Sequence, residues 1–181
     1  IIFDGAMGTR LQTKGLGKGV LPETYNITAP EIITEIHTEY LNAGADVISA
    51  NTFGANRLKF DSHTLKQVID GAIDCAQNAV KSFAGRYVAL DIGPLGKLLA
   101  PFGDLSFEQA YDIFAETIKL AGDRTDLILI ETMNDSYETK AAVLAAKENS
   151  KLPVFVTNVY DESKKLMTGA DAVAMIAMLE G

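Results

Sequence analysis

Five short apolar runs recur along the chain, and each ends in polar residues. IIF runs into Asp4, VISA into Asn51 and Thr52, VAL into Asp91, LILI into Glu131, and VFV into Thr157 and Asn158. The intervening stretches mostly carry the spacing of amphipathic helices, and strand, loop, helix, strand in repetition predicts a parallel α/β sheet. In such folds the loops at the carboxyl ends of the strands converge on one face. Five clusters scattered in sequence are therefore expected to form one site.

The 181 residues suit a single domain with a substantial core, and no linker, repeat or low-complexity segment divides 1–181. No apolar run is long enough to span a bilayer and no signal pattern opens the sequence, so a cytoplasmic location is expected. A net charge of −8 without a basic cluster argues against nucleic acid as a partner. Cys75, the single cysteine, lies in a helical stretch and reads as a buried thiol. His37 lies on a helix and His63 near a helix start, so both read as structural or exposed. The sequence begins on a strand without methionine and stops at LEG, as a piece of a larger protein would.

Helix punctuation is explicit. Thr28 and Glu31 have capping-box spacing ahead of a helix with Pro30 in its first turn, ended by Gly44, with Ile32, Ile33, Ile36 and Tyr40 facing inward. A second helix starts near Ser62, and a third follows the Ser106–Gln109 box. A fourth follows Asn134 and Asp135 with Tyr137, Ala141, Leu144 and Ala145 inward, and a fifth begins near Gly169 with Val173, Ile176 and Leu179. This order fits a closed eight-stranded barrel or an open doubly wound sheet. The glycines of DGAMG lack the GxGxxG spacing of the dinucleotide-binding version.

In DGAMGT, two glycines around a small residue can leave backbone N–H groups free for an anion, with Asp4 beside them; an aspartate capping the next helix fits equally. NTFGAN offers Asn51 and Thr52 as neutral polar groups and Phe53 as an apolar wall, or a plain turn. In DIGP, Asp91 precedes a rigid Gly-Pro turn. Glu131 is the sharpest candidate, because a carboxylate ending a buried strand needs a cationic partner and no Lys or Arg adjoins it. That partner is either a tertiary Lys or Arg or a substrate ammonium. Asp4 and Glu131 for an ammonium, with a backbone nest for a carboxylate, describe a pocket for an amino acid. Magnesium-type ligation by Asp4, Asp91 and Glu131 in an aldolase or lyase barrel is a second reading, and a non-catalytic binding module a third.

IIFDGAMGT, LPETYNITAPEII, AGADVISANTFGAN, DIGP, DLILIETMND and KAAVLAAKE, in this order, resemble the homocysteine S-methyltransferase family. The likeness is greatest to the amino-terminal homocysteine-binding domain of cobalamin-dependent methionine synthases. It implies a (β/α)8 TIM-type barrel, of which this chain looks like the first five strands and following helix. It also implies that Asp4 and Glu131 hold the homocysteine amino group, that Gly5, Ala6 and Thr52 hold its carboxylate, and that Asn51 and Asp91 form site wall. Zinc is the implied cofactor, activating the homocysteine thiolate, with methylcobalamin as donor in the methionine synthase case and betaine or S-methylmethionine in related enzymes. Implied partners are cobalamin- and methyltetrahydrofolate-binding domains of the same polypeptide. The family's zinc cysteines lie in GINC- and GGCC-like segments that this sequence lacks, and Cys75 matches none of them. The chain by itself is therefore expected to be inactive.

Overall fold

The computed structural model describes residues 1–180. Four parallel strands, β1 (Val47–Ser49), β2 (Tyr87–Ile92), β3 (Leu127–Met133) and β4 (Val154–Asn158), stand in the sheet in sequence order. The first apolar run adds only Phe3, which bridges in parallel to Val47 at the β1 edge. Each strand lies beside its predecessor, with no reversal of order, which is the progression of a barrel rather than of a doubly wound sheet.

Helices separate the strands: α1 (Met7–Thr13), α2 (Tyr25–Thr28), α3 (Pro30–Asn42), α4 (Ser62–Val80), α5 (Phe107–Ala121), α6 (Ser136–Asn149) and α7 (Ala172–Leu179). Alternation along the strands divides them between two faces. Leu90, Ile92, Ile128 and Ile130 pack outward against α4, α5 and α6 in the main core. Val47, Ala89, Leu127 and Leu129 form a second apolar layer with Phe3 on the inner face, where the rings of Phe3 and Phe155 meet edge-on at 5.7 Å. No helix is long and apolar enough to cross a membrane among the described residues.

The helix starts follow side-chain chemistry. Ser106 Oγ accepts from Gln109 N (3.1 Å) while Gln109 Oε1 accepts from Ser106 N (2.9 Å), the expected capping box. Asp61 and Asp135 cap α4 and α6 by accepting from the amides two and three residues ahead. The Thr28–Glu31 box does not form. Thr28 is the last residue of α2, so its hydroxyl turns back to Thr24 O (3.1 Å), and Ala29 occupies the cap of α3. Two inner stripes are also corrected. Tyr137 is 58% exposed in the first turn of α6, while Ala141 and Ala145 are buried as expected. On α7, Asp171 caps a helix that starts after Gly169, and Met175 is buried while Val173 is 76% exposed.

Candidate functional site

All five polar clusters contribute side chains to one cavity of about 670 Å³ at the carboxyl ends of the strands. Its walls include Asp4, Gly5 and Ala6 after the first run, Asn51 and Phe53 after β1, Asp91 on β2, Glu131 and Thr132 on β3, and Phe155 and Thr157 on β4. Pro22 and Glu23, from a turn before α2, close another side.

Asp4 is held by Ser49, whose backbone N–H donates to Oδ2 and whose hydroxyl donates to Oδ1, both at 2.9 Å. Burial nevertheless raises the Asp4 carboxyl to about 6, with the Ser49 bonds opposing that rise and Glu131 adding to it. Asp91 faces inward in register with Leu129. It is 7% exposed, and its buried Oδ1 has no hydrogen-bond partner. Burial first, then the carboxylates of Glu131, Asp4 and Glu23, push it well above the usual carboxylate range. Glu131 is half-buried, and burial raises it as well.

A bulge gives β3 its reach into the cavity. Ile130 pairs with Val156 but Met133 pairs with Asn158, so β3 carries one extra residue, and Thr132 adopts φ 62°. The ordinary alternation is broken there: Glu131 and Thr132 both line the cavity, and Met133 returns to the outer core. Thr132 N donates to Thr157 Oγ1 at 3.1 Å, tying the bulge to β4.

Asn51 lines the wall, but its amide is used structurally. Its Nδ2 donates to Pro22 O (2.9 Å) and Asn26 Oδ1 (2.8 Å), and Asn26 Nδ2 in turn donates to Asn51 O (2.8 Å). Thr52 stands one step behind the wall, outside the cavity lining. Its hydroxyl donates to Asp91 O (2.8 Å) and accepts from Asp91 N (3.1 Å), fixing the main chain that presents Asp91. Asn158 also turns away, donating to Met133 O and Thr139 Oγ1. Gly5 and Ala6 are exposed at the rim, and their amides meet no acceptor among the described residues. His37 is buried and His63 is exposed at the start of α4, and neither lines the cavity.

Two cavity-lining positions escaped the sequence pattern. Ser49 sits inside an apolar run, and only its pairing with Asp4 reveals its purpose. Glu23 follows a proline in a segment without periodicity, yet it is 3% exposed, accepts from Gly54 N at 2.6 Å and leaves Oε2 unpartnered.

Among the described residues no Lys, Arg or His lines the cavity, although four carboxylates do. Such a cavity favours a cation, and unpaired amides at its rim favour an anion next to it. Among the described residues no group of three or more His, Cys, Asp or Glu side chains is placed to hold a metal ion. The divalent-metal aldolase or lyase reading thus has no preformed ligand set in these residues. Cys75 does not fit a zinc centre either: it is buried against Leu11, Ile33 and Ile36, and its thiol faces Pro30 O at 3.4 Å.

A family model described as homocysteine S-methyltransferase matches residues 1–181. Methionine synthases of Mycobacterium leprae and Mycobacterium tuberculosis are each 28% identical over 200 aligned residues, which include 99% of this chain. The chain spans only 16% and 17% of the lengths of those relatives. Its fold superimposes on the metallated form of the homocysteine methyltransferase MmuM from Escherichia coli with a TM-score of 0.88 at 22% identity, covering all of this chain and 70% of that one. The oxidised form gives a TM-score of 0.86 at 21% identity. The barrel expected from the sequence is thus the fold of these neighbours, of which the described residues form a part. With its model matched from first residue to last, the chain belongs to the homocysteine S-methyltransferase family.

Proposed function

We propose that this chain supplies the amino-acid-binding part of a site that methylates homocysteine to methionine. The observation that carries the reading is a cavity with four carboxylates, no basic side chain and free amides at its rim. That distribution complements a zwitterion. Asp4 and Glu131 hold the ammonium, and the Gly5 and Ala6 amides hold the carboxylate. Ser49 orients Asp4, Thr52 fixes the strand end that carries Asp91, and Asn51 and Asp91 form the wall. Phe53 and Phe155 give an apolar surface for the methylene stem.

The methionine synthase type is the favoured member, supported by likeness to two mycobacterial methionine synthases along nearly the whole chain. Methylcobalamin is then the donor, with cobalamin- and methyltetrahydrofolate-binding domains on the same polypeptide and a cytoplasmic location. A betaine- or S-methylmethionine-type donor is the alternative. Zinc activates the thiol in this family, and the cysteines that would hold it are those of the GINC- and GGCC-like segments that this sequence lacks.

Calorimetry on the full-length protein tests the reading. L-homocysteine and L-methionine should bind, and N-acetyl-L-methionine, which lacks the ammonium, should not. Asp4→Asn and Glu131→Gln each remove one charge-assisted contact, about 1.5–3 kcal/mol, and should weaken binding about 10- to 100-fold. Equal binding of the acetylated compound would overturn the proposal.

A further inference from the structure

We infer that Asp91 is a further ligand-recognition residue of this cavity, holding a proton in the ligand-free state and releasing it when the ligand's ammonium enters. The inference rests on the amino-acid reading above and goes beyond it, because it assigns a chemical role to a residue otherwise counted as wall.

Geometry singles out Asp91. The charged groups acting on it are Asp4 from the segment before α1, Glu23 from the turn before α2 and Glu131 from β3, and the neutral side chains of Asn51 and Thr157 line the same cavity. Among the described residues no Lys, Arg or His lines the cavity with it; the Lys59 ammonium lies beside Gly54, on the Glu23 side. Four carboxylates in one cavity without a cation do not all stay ionised, since like charges at close range drive one site to keep its proton. The other three have something to support charge. Asp4 accepts two bonds from Ser49, Glu23 accepts one from Gly54 N, and Glu131 is half-exposed to water. Asp91 is 7% exposed, and its buried Oδ1 meets no donor. The rise in its pKa from burial and from the three neighbouring carboxylates agrees with this assignment.

The exchange balances simply. The Asp91 O–H bond breaks with its electron pair left on the carboxylate, the proton passes to solvent, and the incoming ammonium keeps its three protons. Positive charge in the cavity is conserved, moved from a carboxyl proton to the ligand. A ligand whose nitrogen is acylated brings no charge and displaces no proton. Asp91 thereby contributes to selection for a free amino group.

The test is calorimetry on the full-length protein with L-methionine, which has no thiol proton to confuse the count, in buffers of different ionisation heat between pH 6.5 and 8. Wild type should release protons on binding, with affinity rising by up to about tenfold per pH unit while Asp91 remains protonated in the free protein. Asp91→Asn should lose that release and that slope. Infrared difference spectra of the wild-type protein give a check that needs no variant: a protonated-carboxyl stretch should vanish when L-methionine is added and persist with N-acetyl-L-methionine. Binding without proton release, an unchanged carboxyl band, or equal release by Asp91→Asn would overturn this inference and leave the amino-acid site intact. Failure of L-methionine to bind at all would overturn both.

Discussion

Gly93 packs against one edge of the Phe53 ring: its amide donates to Phe53 O at 2.9 Å, and a Cβ built on Gly93 would overlap that edge. The loop after β1 and the turn after β2 are thus packed face to face, and one wall of the acidic cavity depends on the absence of a single methyl group.

Gly93→Ala should therefore displace Phe53 and reshape that wall. Overpacking of this kind costs about 1–3 kcal/mol. Amino-acid affinity should fall along with thermal stability, which paired melting and binding measurements on Gly93→Ala would show. Unchanged affinity at normal stability would mean that Phe53 is not part of the binding surface.

Glu23 anchors the same loop through Gly54 N. Glu23→Ala removes the acceptor, and a hydrogen bond to a charged group is worth about 1.5–3 kcal/mol. Amide exchange at Gly54, followed by NMR, should accelerate by about tenfold or more. Glu23→Gln keeps an acceptor oxygen and should restore most of the protection.

Glu138 is a buried carboxyl whose Oε1 accepts from Leu95 N at 2.7 Å, tying α6 to the turn after β2. Burial raises it to about 7 against an unfolded value of 4.5, with Asp135 adding and the Leu95 bond opposing. Between those values the folded state holds the extra proton, so this group's contribution to stability falls as pH rises from 4.5 to 7. Glu138→Gln retains the acceptor and removes the titration. Its stability relative to wild type should rise between pH 5 and 8 by about 2–3 kcal/mol, read from melting curves. A parallel pH profile for the two proteins would refute this.

His37 has the opposite slope. It is fully buried, neither ring nitrogen has a partner among the described residues, and burial lowers it to about 4 from 6.5. The unfolded chain takes up a proton first as pH falls, so stability is lost from 6.5 down to about 4. His37→Leu should gain on wild type on going from pH 7 to pH 5, by about 2 kcal/mol. Melting curves across that interval decide the sign.

Much of this architecture was legible in the sequence because it rests on local chemistry. Apolar runs of strand length stopped at polar residues, and Ser106 and Asp135 announced helix starts through short-range bonds. What stayed hidden depends on contacts distant in the chain. Nothing local tells that the first run supplies only the Phe3 bridge, or that one extra residue near Thr132 turns two successive side chains inward. Thr28 looked like a cap because its spacing to Glu31 is right, but residues 25–28 close a turn of their own. For the site, Asp4, Asp91 and Glu131 could be named from their positions at run ends. Ser49 was concealed by its apolar neighbours, and Glu23 by a segment with no period at all.

The neighbour-on-neighbour order of the strands also gives construction of the cavity a direction. Ser49 can clasp Asp4 once β1 has formed beside the segment that precedes α1, whereas Asp91 and then Glu131 arrive only as later strands dock. Mutual repulsion among the acids is therefore introduced last, onto a scaffold whose earlier joints are already fastened. A growing chain that follows this order never has to gather all four carboxyl groups at once.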